Sequence, residues 1–85
     1  LRIGELGIAA VPCEVFAETG LAVKKSSPLR STFVIELANG YNGYLPTRRQ
    51  HELGGYETWP ARSAYLEVGA EEKIRAQLLA LLGKI

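Results

Sequence analysis

Apolar positions change their rhythm along the chain, and each change marks a different element. From Ile3 to Val11 they alternate, with Leu6, Ile8 and Ala10 on one side of an extended backbone and Gly7, Ala9 and Val11 on the other. Both sides are apolar or small, the pattern of a strand covered on two faces. Pro12 ends it, because proline has no N–H to give to a ladder. From Glu14 to about Ser26 the spacing becomes helical. Val15, Phe16, Thr19, Ala22 and Val23 recur on one side, while Glu18, Lys24 and Lys25 face away. Glu14 in the first turn and the lysines in the last suit the helix dipole, and Ser26-Ser27-Pro28 closes the helix. Thr32 to Ala38 (TFVIELA) is β-branched and apolar and predicts a second strand. Strand, helix and strand at this spacing predict a right-handed βαβ unit of the α/β class, with parallel strands near 3–11 and 31–38 and a crossover helix near 14–26.

Beyond the second strand the pattern breaks. Asn39-Gly40-Tyr41-Asn42-Gly43-Tyr44 holds two Asn-Gly dipeptides, each a turn signal. After Pro46, Thr47 is placed to cap one or two helical turns running to Leu53. Gly54-Gly55 and Pro60 frame an irregular stretch whose Tyr56, Trp59 and Tyr65 read as packing aromatics. Helical spacing returns at Ala70, with Ile74, Leu78, Leu81, Leu82 and Ile85 on one stripe and Glu71 and Glu72 in the first turn, predicting a C-terminal helix near 70–83. The irregular 39–66 segment should lie over the carboxyl edge of the sheet. Connections that long are usually functional or rest on a larger body. Two strands cannot cover this much apolar surface, so the unit is expected to belong to a larger sheet domain.

Composition narrows the function classes. Eighty-five residues make at most one small domain, of a size that buries only about 60–65% of its unfolded surface. A hydrophobic share of 47% against 22% charged is an ordinary globular balance. No apolar run approaches the ~20 residues of a transmembrane helix, and no signal-peptide pattern is visible. The chain begins at Leu1 and holds no Met, and is expected to be a piece of something longer. A net charge of +1, with basic residues spread along the chain and Arg48-Arg49 too short for a patch, makes no case for nucleic acid. A single cysteine, Cys13, excludes an internal disulfide framework and reads as a small buried residue at the strand corner.

Candidate chemistry gathers at one predicted edge. Glu14 follows Pro12-Cys13 at the carboxyl end of a parallel strand, where ligands bind in open α/β sheets. Its plainer role is a helix N-terminal carboxylate worth under about 1 kcal/mol. Tyr41 leaves the second strand at the same edge, so a carboxylate and a phenol converging there could bind a metal or position a carbonyl. Otherwise Tyr41 and Tyr44 are loop aromatics packed over the sheet. His51, the only histidine, could complete a Glu–Tyr–His set on paper, but its spacing is no metal signature and a solvated side chain is the plainer expectation.

Several motifs in order carry a family likeness. Ile3-Gly4-Glu5-Leu6, Val11-Pro12-Cys13-Glu14-Val15-Phe16, Leu37-Ala38-Asn39-Gly40-Tyr41-Asn42-Gly43-Tyr44-Leu45-Pro46-Thr47-Arg48 and Gly54-Gly55-Tyr56-Glu57 resemble the neutral (non-lysosomal) ceramidases, most of all their bacterial ceramidase-like relatives. Val68-Gly69-Ala70-Glu71-Glu72 looks like the family's lead into its closing helix. The resemblance implies the C-terminal portion of the catalytic domain of a zinc-dependent amidohydrolase that cleaves the N-acyl bond of ceramide. In it the glutamate of the V-P-G-E motif and the first tyrosine of N-x-Y-x-x-Y are zinc ligands, which here are Glu14 and Tyr41, and two histidine ligands lie well upstream. Tyr56 and His51 become candidate catalytic residues and Tyr44 a candidate substrate-binding residue. The chain departs from the family at Cys13, where the motif has glycine, and at His51, where relatives tend to carry tyrosine.

The expected partners are therefore the remainder of the catalytic domain and an amide-bearing lipid or other small amide, with no nucleic acid and no transmembrane segment. Alone, the piece is expected to be inactive, to bind Zn²⁺ weakly or not at all, and to self-associate through bare strand edges and the exposed Phe33, Ile35, Leu37, Leu6 and Ile8. The alternative of a different class is a free-standing interaction or structural module without catalysis.

Overall fold

The computed structural model describes Leu1–Ile85 and shows a mixed α/β chain built on a small sheet. Its strands are β1 (Arg2–Ile3), β2 (Leu6–Ala10), β3 (Glu14–Val15), β4 (Ser31–Ile35) and β5 (Tyr44–Leu45). The helices are α1 (Ala17–Ser26), α2 (Arg48–Leu53) and α3 (Ala70–Lys84), with one 3-10 turn at Tyr56–Thr58. The predicted βαβ unit is present as β2–α1–β4, with β2 and β4 parallel in the register Leu6↔Ser31 to Ala10↔Ile35.

Three boundaries differ from the sequence expectation. The first strand is not continuous from 3 to 11. Gly4, at φ +60, turns the chain so that Arg2–Ile3 folds back antiparallel on Leu6–Gly7, a conformation that costs glycine least. The helix does not begin at Glu14. Phe16 is its N-cap in extended conformation, Glu14 and Val15 lie in β3, and Glu18 is the first-turn acid. The second strand stops at Ile35, because Leu37 and Asn39 adopt positive φ and turn the chain across the sheet end.

Packing explains why the first strand alternates as it does. Gly7, Ala9, Val11 and Cys13 form a buried row, with Val11 and Cys13 only 1% and 2% exposed. Val23 of α1, Leu45, and Ala70, Leu78 and Leu82 of α3 close over that row. The row is small because the other side comes close: a Cβ on Gly7 would stand 2.7 Å from Leu29 Cδ1 and 3.1 Å from Leu82 Cδ2. The opposite face carries Phe33 and Ile35, which stay exposed. A strand covered on both faces was the expectation; the helices cover only one.

Polar bonds tie the three helices together. Glu71, buried at the start of α3, accepts from Thr19 Oγ1 of α1 at 3.0 Å and from Arg75 Nε at 2.9 Å. Thr47 caps α2 as predicted, accepting from Gln50 N at 3.2 Å. Its hydroxyl donates to Glu18 Oε1 of α1, which also accepts from Gln50 Nε2. The Thr47 hydrogen bond, aided by Gln50 and the Arg49 charge, holds the Glu18 carboxyl below its ordinary value of 4.5. No helix is long and apolar enough to cross a membrane.

Two tests follow from this packing. Gly7→Val should lower unfolding stability by about 1–3 kcal/mol in urea titration, because Leu29 and Leu82 must give way. Glu18 binds its proton less readily folded than unfolded, so its contribution is present in full above pH 4.5 and is lost as pH falls through the depressed value. Thermal melts between about pH 3 and pH 6 should therefore show stability rising with pH, with a shallower slope in Glu18→Gln.

Candidate active site

The site is built where β2 runs out. Beyond Ala10 the backbone of Val11–Glu14 is stitched to the segment after β4. Ala38 N donates to Val11 O at 3.0 Å, Leu37 N to Cys13 O at 3.1 Å, Asn42 N to Pro12 O at 2.7 Å and Glu14 N to Gly43 O at 2.9 Å. These bonds require sharp reversals at Leu37 (φ 54), Asn39 (φ 62) and Gly43 (φ 78). Asparagine tolerates the left-handed region, whereas a branched residue such as Leu37 holds it only when the surroundings enforce it. At Gly43 a Cβ would lie 2.7 Å from Ser63 O, so both space and φ demand glycine. The double Asn-Gly motif is thus a device for laying one loop flat over the sheet edge.

The stitched loop brings the sequence candidates together. β3 and β5 pair in parallel with Glu14 opposite Tyr44. The Tyr41 hydroxyl points at Glu14 Oε2 at 3.5 Å, the outer limit of a hydrogen bond. The Tyr44 and Tyr56 hydroxyls are 3.4 Å apart, and their rings meet edge to face at a centroid distance of 5.8 Å. Tyr65 donates to Asn42 Oδ1 at 3.1 Å, which steadies the turn that carries Tyr41. A shallow cavity of about 220 Å³ beside this group is lined by Glu14, Glu36, Glu57, Phe16, Val15 and Tyr44.

The surroundings make both phenols harder to ionise. Desolvation first, and then the neighbouring Glu14, raise the Tyr41 pKa above 10. Tyr44 is pushed up to about 12, chiefly by its hydrogen bond to Tyr56, with desolvation and Glu14 adding to it. Burial raises the Cys13 thiol, and the side chain is enclosed in the core, which suits packing and not nucleophilic attack.

His51 stands apart. It lies on α2, makes no hydrogen bond to Glu14, Tyr41 or Tyr44, and does not line their cavity. Nor is it the solvated side chain expected: its Nε2 is buried and has no partner. Tyr56, Trp59 and Tyr65, read as packing aromatics, are instead largely exposed, Tyr56 at 61%. Two residues of the site went unnoticed in the sequence. Glu36, whose Oε2 accepts from Val15 N at 2.9 Å, was signalled by being the only acid in the run TFVIELA and by its place at the strand's carboxyl end. Glu57 had no signal beyond following Tyr56.

Two oxygen donors, the Glu14 carboxylate and the Tyr41 phenol, approach closely enough to share one cation, and two oxygen ligands alone select no particular metal. No group of three or more His, Cys, Asp or Glu side chains comes together in the chain to complete one. No family model matches the chain, and neither a curated protein nor a solved structure shows significant similarity to it.

Alkaline titration tests the electrostatic picture. Followed by absorbance near 295 nm, Tyr41 and Tyr44 should ionise above the free phenol value of 10. Glu14→Gln should bring the Tyr41 transition down, and Tyr56→Phe should do so for Tyr44.

Proposed function

We propose that the chain is the C-terminal portion of a ceramidase-like, zinc-dependent amidohydrolase acting on the N-acyl amide bond of a ceramide-like lipid. Glu14 and Tyr41 would supply part of the zinc shell, and the larger sheet domain upstream would supply the histidines. The observation that carries this is the meeting of Tyr41 and Glu14 at the carboxyl end of the parallel strands, across 27 positions of sequence. The motifs that resemble the neutral ceramidases centre on these same residues.

Zinc, when bound, polarises an amide carbonyl and brings the pKa of a bound water towards ~7. The chain's own residues supply the surroundings. Glu14 is anchored by β3–β5 pairing and Tyr41 by the Asn42–Tyr65 turn, so the backbone that carries each side chain is fixed. Tyr44 is protonated, and with Tyr56 as the donor within the pair its own proton would be left for a substrate carbonyl. Of the two candidate catalytic residues, Tyr56 is the better supported, because His51 touches none of this group. An apolar groove of about 550 Å³ between β2 and α3, lined by Leu1, Ile8, Ala10, Leu81 and Ile85, is where the remainder of the catalytic domain would pack.

A second reading is a non-catalytic structural or interaction module derived from that fold, which the exposed Phe33, Ile35 and Leu37 would suit. Metal analysis and acyl-release assays on ceramide and simpler amides separate the two. Joined to the histidine-bearing part of its catalytic domain, the protein should hold one zinc, and Glu14→Ala and Tyr41→Phe should each lower zinc content and acyl release. By itself the chain should bind zinc weakly, because a phenol is a poor ligand until a metal's charge is already held nearby. Tight one-to-one zinc binding by the isolated chain, lost in Glu14→Ala, would overturn this division of labour. Undiminished acyl release in both variants of the joined protein would overturn the hydrolase reading itself.

A further inference from the structure

We infer that the outer edge of β4 is a self-complementary interface, pairing antiparallel with β4 of a second copy about a two-fold axis at Phe33. The inference does not rest on the proposed hydrolase reading, and it shares only Glu36 with the Glu14–Tyr41 site. β4 ends the three-stranded sheet, whose order is β1-β2-β4. On its inner side Ser31 N donates to Glu5 O and Ile35 O accepts from Val11 N. In a ladder, successive residues turn their backbone groups to opposite sides, so Thr32 and Val34 direct theirs outward, where no strand lies.

The usual guards of an edge are missing. Ser31-Thr32-Phe33-Val34-Ile35 contains no proline, lysine or glycine, and Phe33 and Ile35 are 38% and 44% exposed. A hollow of about 480 Å³ runs beside the strand, with Gly20, Leu21 and Lys24 of α1 along its length, Val15, Phe16 and Ala17 at the Glu36 end, and Phe33 and Val34 as its floor. Leu21, at 65% exposure, projects with no core to enter.

Register and charge select a copy of the same chain as the occupant. Centred on Phe33, antiparallel pairing sets Thr32 against Val34 of the other copy, so the outward donors and acceptors of both are satisfied in two hydrogen-bonded pairs. Phe33 then faces Phe33 in the close, non-hydrogen-bonded position, where aromatic pairs add stability. One step further out, Arg30 stands opposite Glu36, and the two-fold axis makes this happen at both ends. Shifting the pairing by two residues loses both charge pairs and shortens the ladder. Arg30 is free to turn outward, because its present contact with Glu5 is 3.7 Å between highly exposed groups, and Glu36, whose Oε2 accepts from Val15 N, keeps its other oxygen for the pair. Pairing of this kind is isologous and closes at two copies.

Sedimentation of the 85-residue chain from about 1 to about 100 µM should show a monomer–dimer equilibrium that saturates at the dimer. Arg30→Glu should weaken the dimer roughly fivefold or more, as should Glu36→Arg, and the double swap should restore it. Phe33→Cys should form an intermolecular disulfide under mild oxidation, since directly opposed, non-hydrogen-bonded positions lie within bridging distance. Phe33→Lys should sediment as a monomer while circular dichroism shows it folded. A monomer at the highest concentration would overturn the interface. So would open assemblies beyond the dimer, a double swap that fails to restore association, or a dimer that does not cross-link at position 33.

Discussion

Everything at the carboxyl edge depends on four backbone hydrogen bonds between Val11–Glu14 and the segment from Leu37 to Gly43. A strand that has ended normally leaves its last carbonyls to water. Here they, and the Glu14 N–H, are taken by a loop that reverses direction at Leu37 and Asn39 to reach them. Once the loop is fixed, Tyr44 must lie beside Glu14, and Tyr41 must rise over it. The conformational cost at Leu37 is offset by these bonds, since the same turn frees Ala38 and Asn42 to donate. The chemistry of the edge is therefore a consequence of backbone satisfaction more than of attraction between the side chains, whose direct contact is long.

A second, polar framework holds the helices in position over the sheet. Glu71 is 2% exposed, yet it has hydrogen-bond donors on two sides, Thr19 from α1 and Arg75 from its own helix. Arg48 of α2 bonds Glu72 of α3 and depresses that carboxyl's pKa, while Thr47 and Gln50 hold Glu18 of α1. The short α2 buries no residue of its own, so it owes its place to these bonds and not to an apolar face. Small residues at Gly7 and Ala9 let Leu29 and Leu82 approach the sheet closely enough for the framework to close.

Much of this was legible in the sequence, and what was missed has physical causes. The parallel pair, the crossover helix, the Thr47 cap and the last helix all followed from periodicity and punctuation. The start of α1 did not. Val15 and Phe16 satisfy a helical stripe by type, and only the tertiary pairing of Glu14 with Tyr44 draws them out of it. The hairpin at Gly4 was hidden because Ile3 and Leu6 sit equally well in one continuous strand or in two short ones. At the site, the nearness of Glu14 and Tyr41 was foreseen from strand ends alone, since parallel strands deliver their carboxyl ends to one edge. The isolation of His51 was not foreseen, because a helix of six residues says nothing of which way its ring is turned. The exposure of Tyr56, Trp59 and Tyr65 was also missed: aromatic content marks a residue as able to pack, without saying that a surface is there to receive it.

The brevity of the β3–β5 ladder has a dynamic consequence. Two residue pairs make a weak cooperative unit, far smaller than the five-pair ladder of β2 and β4. The loop that carries the tyrosines can open locally when this ladder and its four bonds to Val11–Glu14 release together, while the βαβ frame stays folded. Amide protons of Glu14 and Tyr44 then exchange with solvent by local opening, and those at the centre of β2 and β4 wait for global unfolding. The edge that gathers Glu14, Tyr41 and Tyr44 is thus held by a shorter ladder than the βαβ frame beneath it.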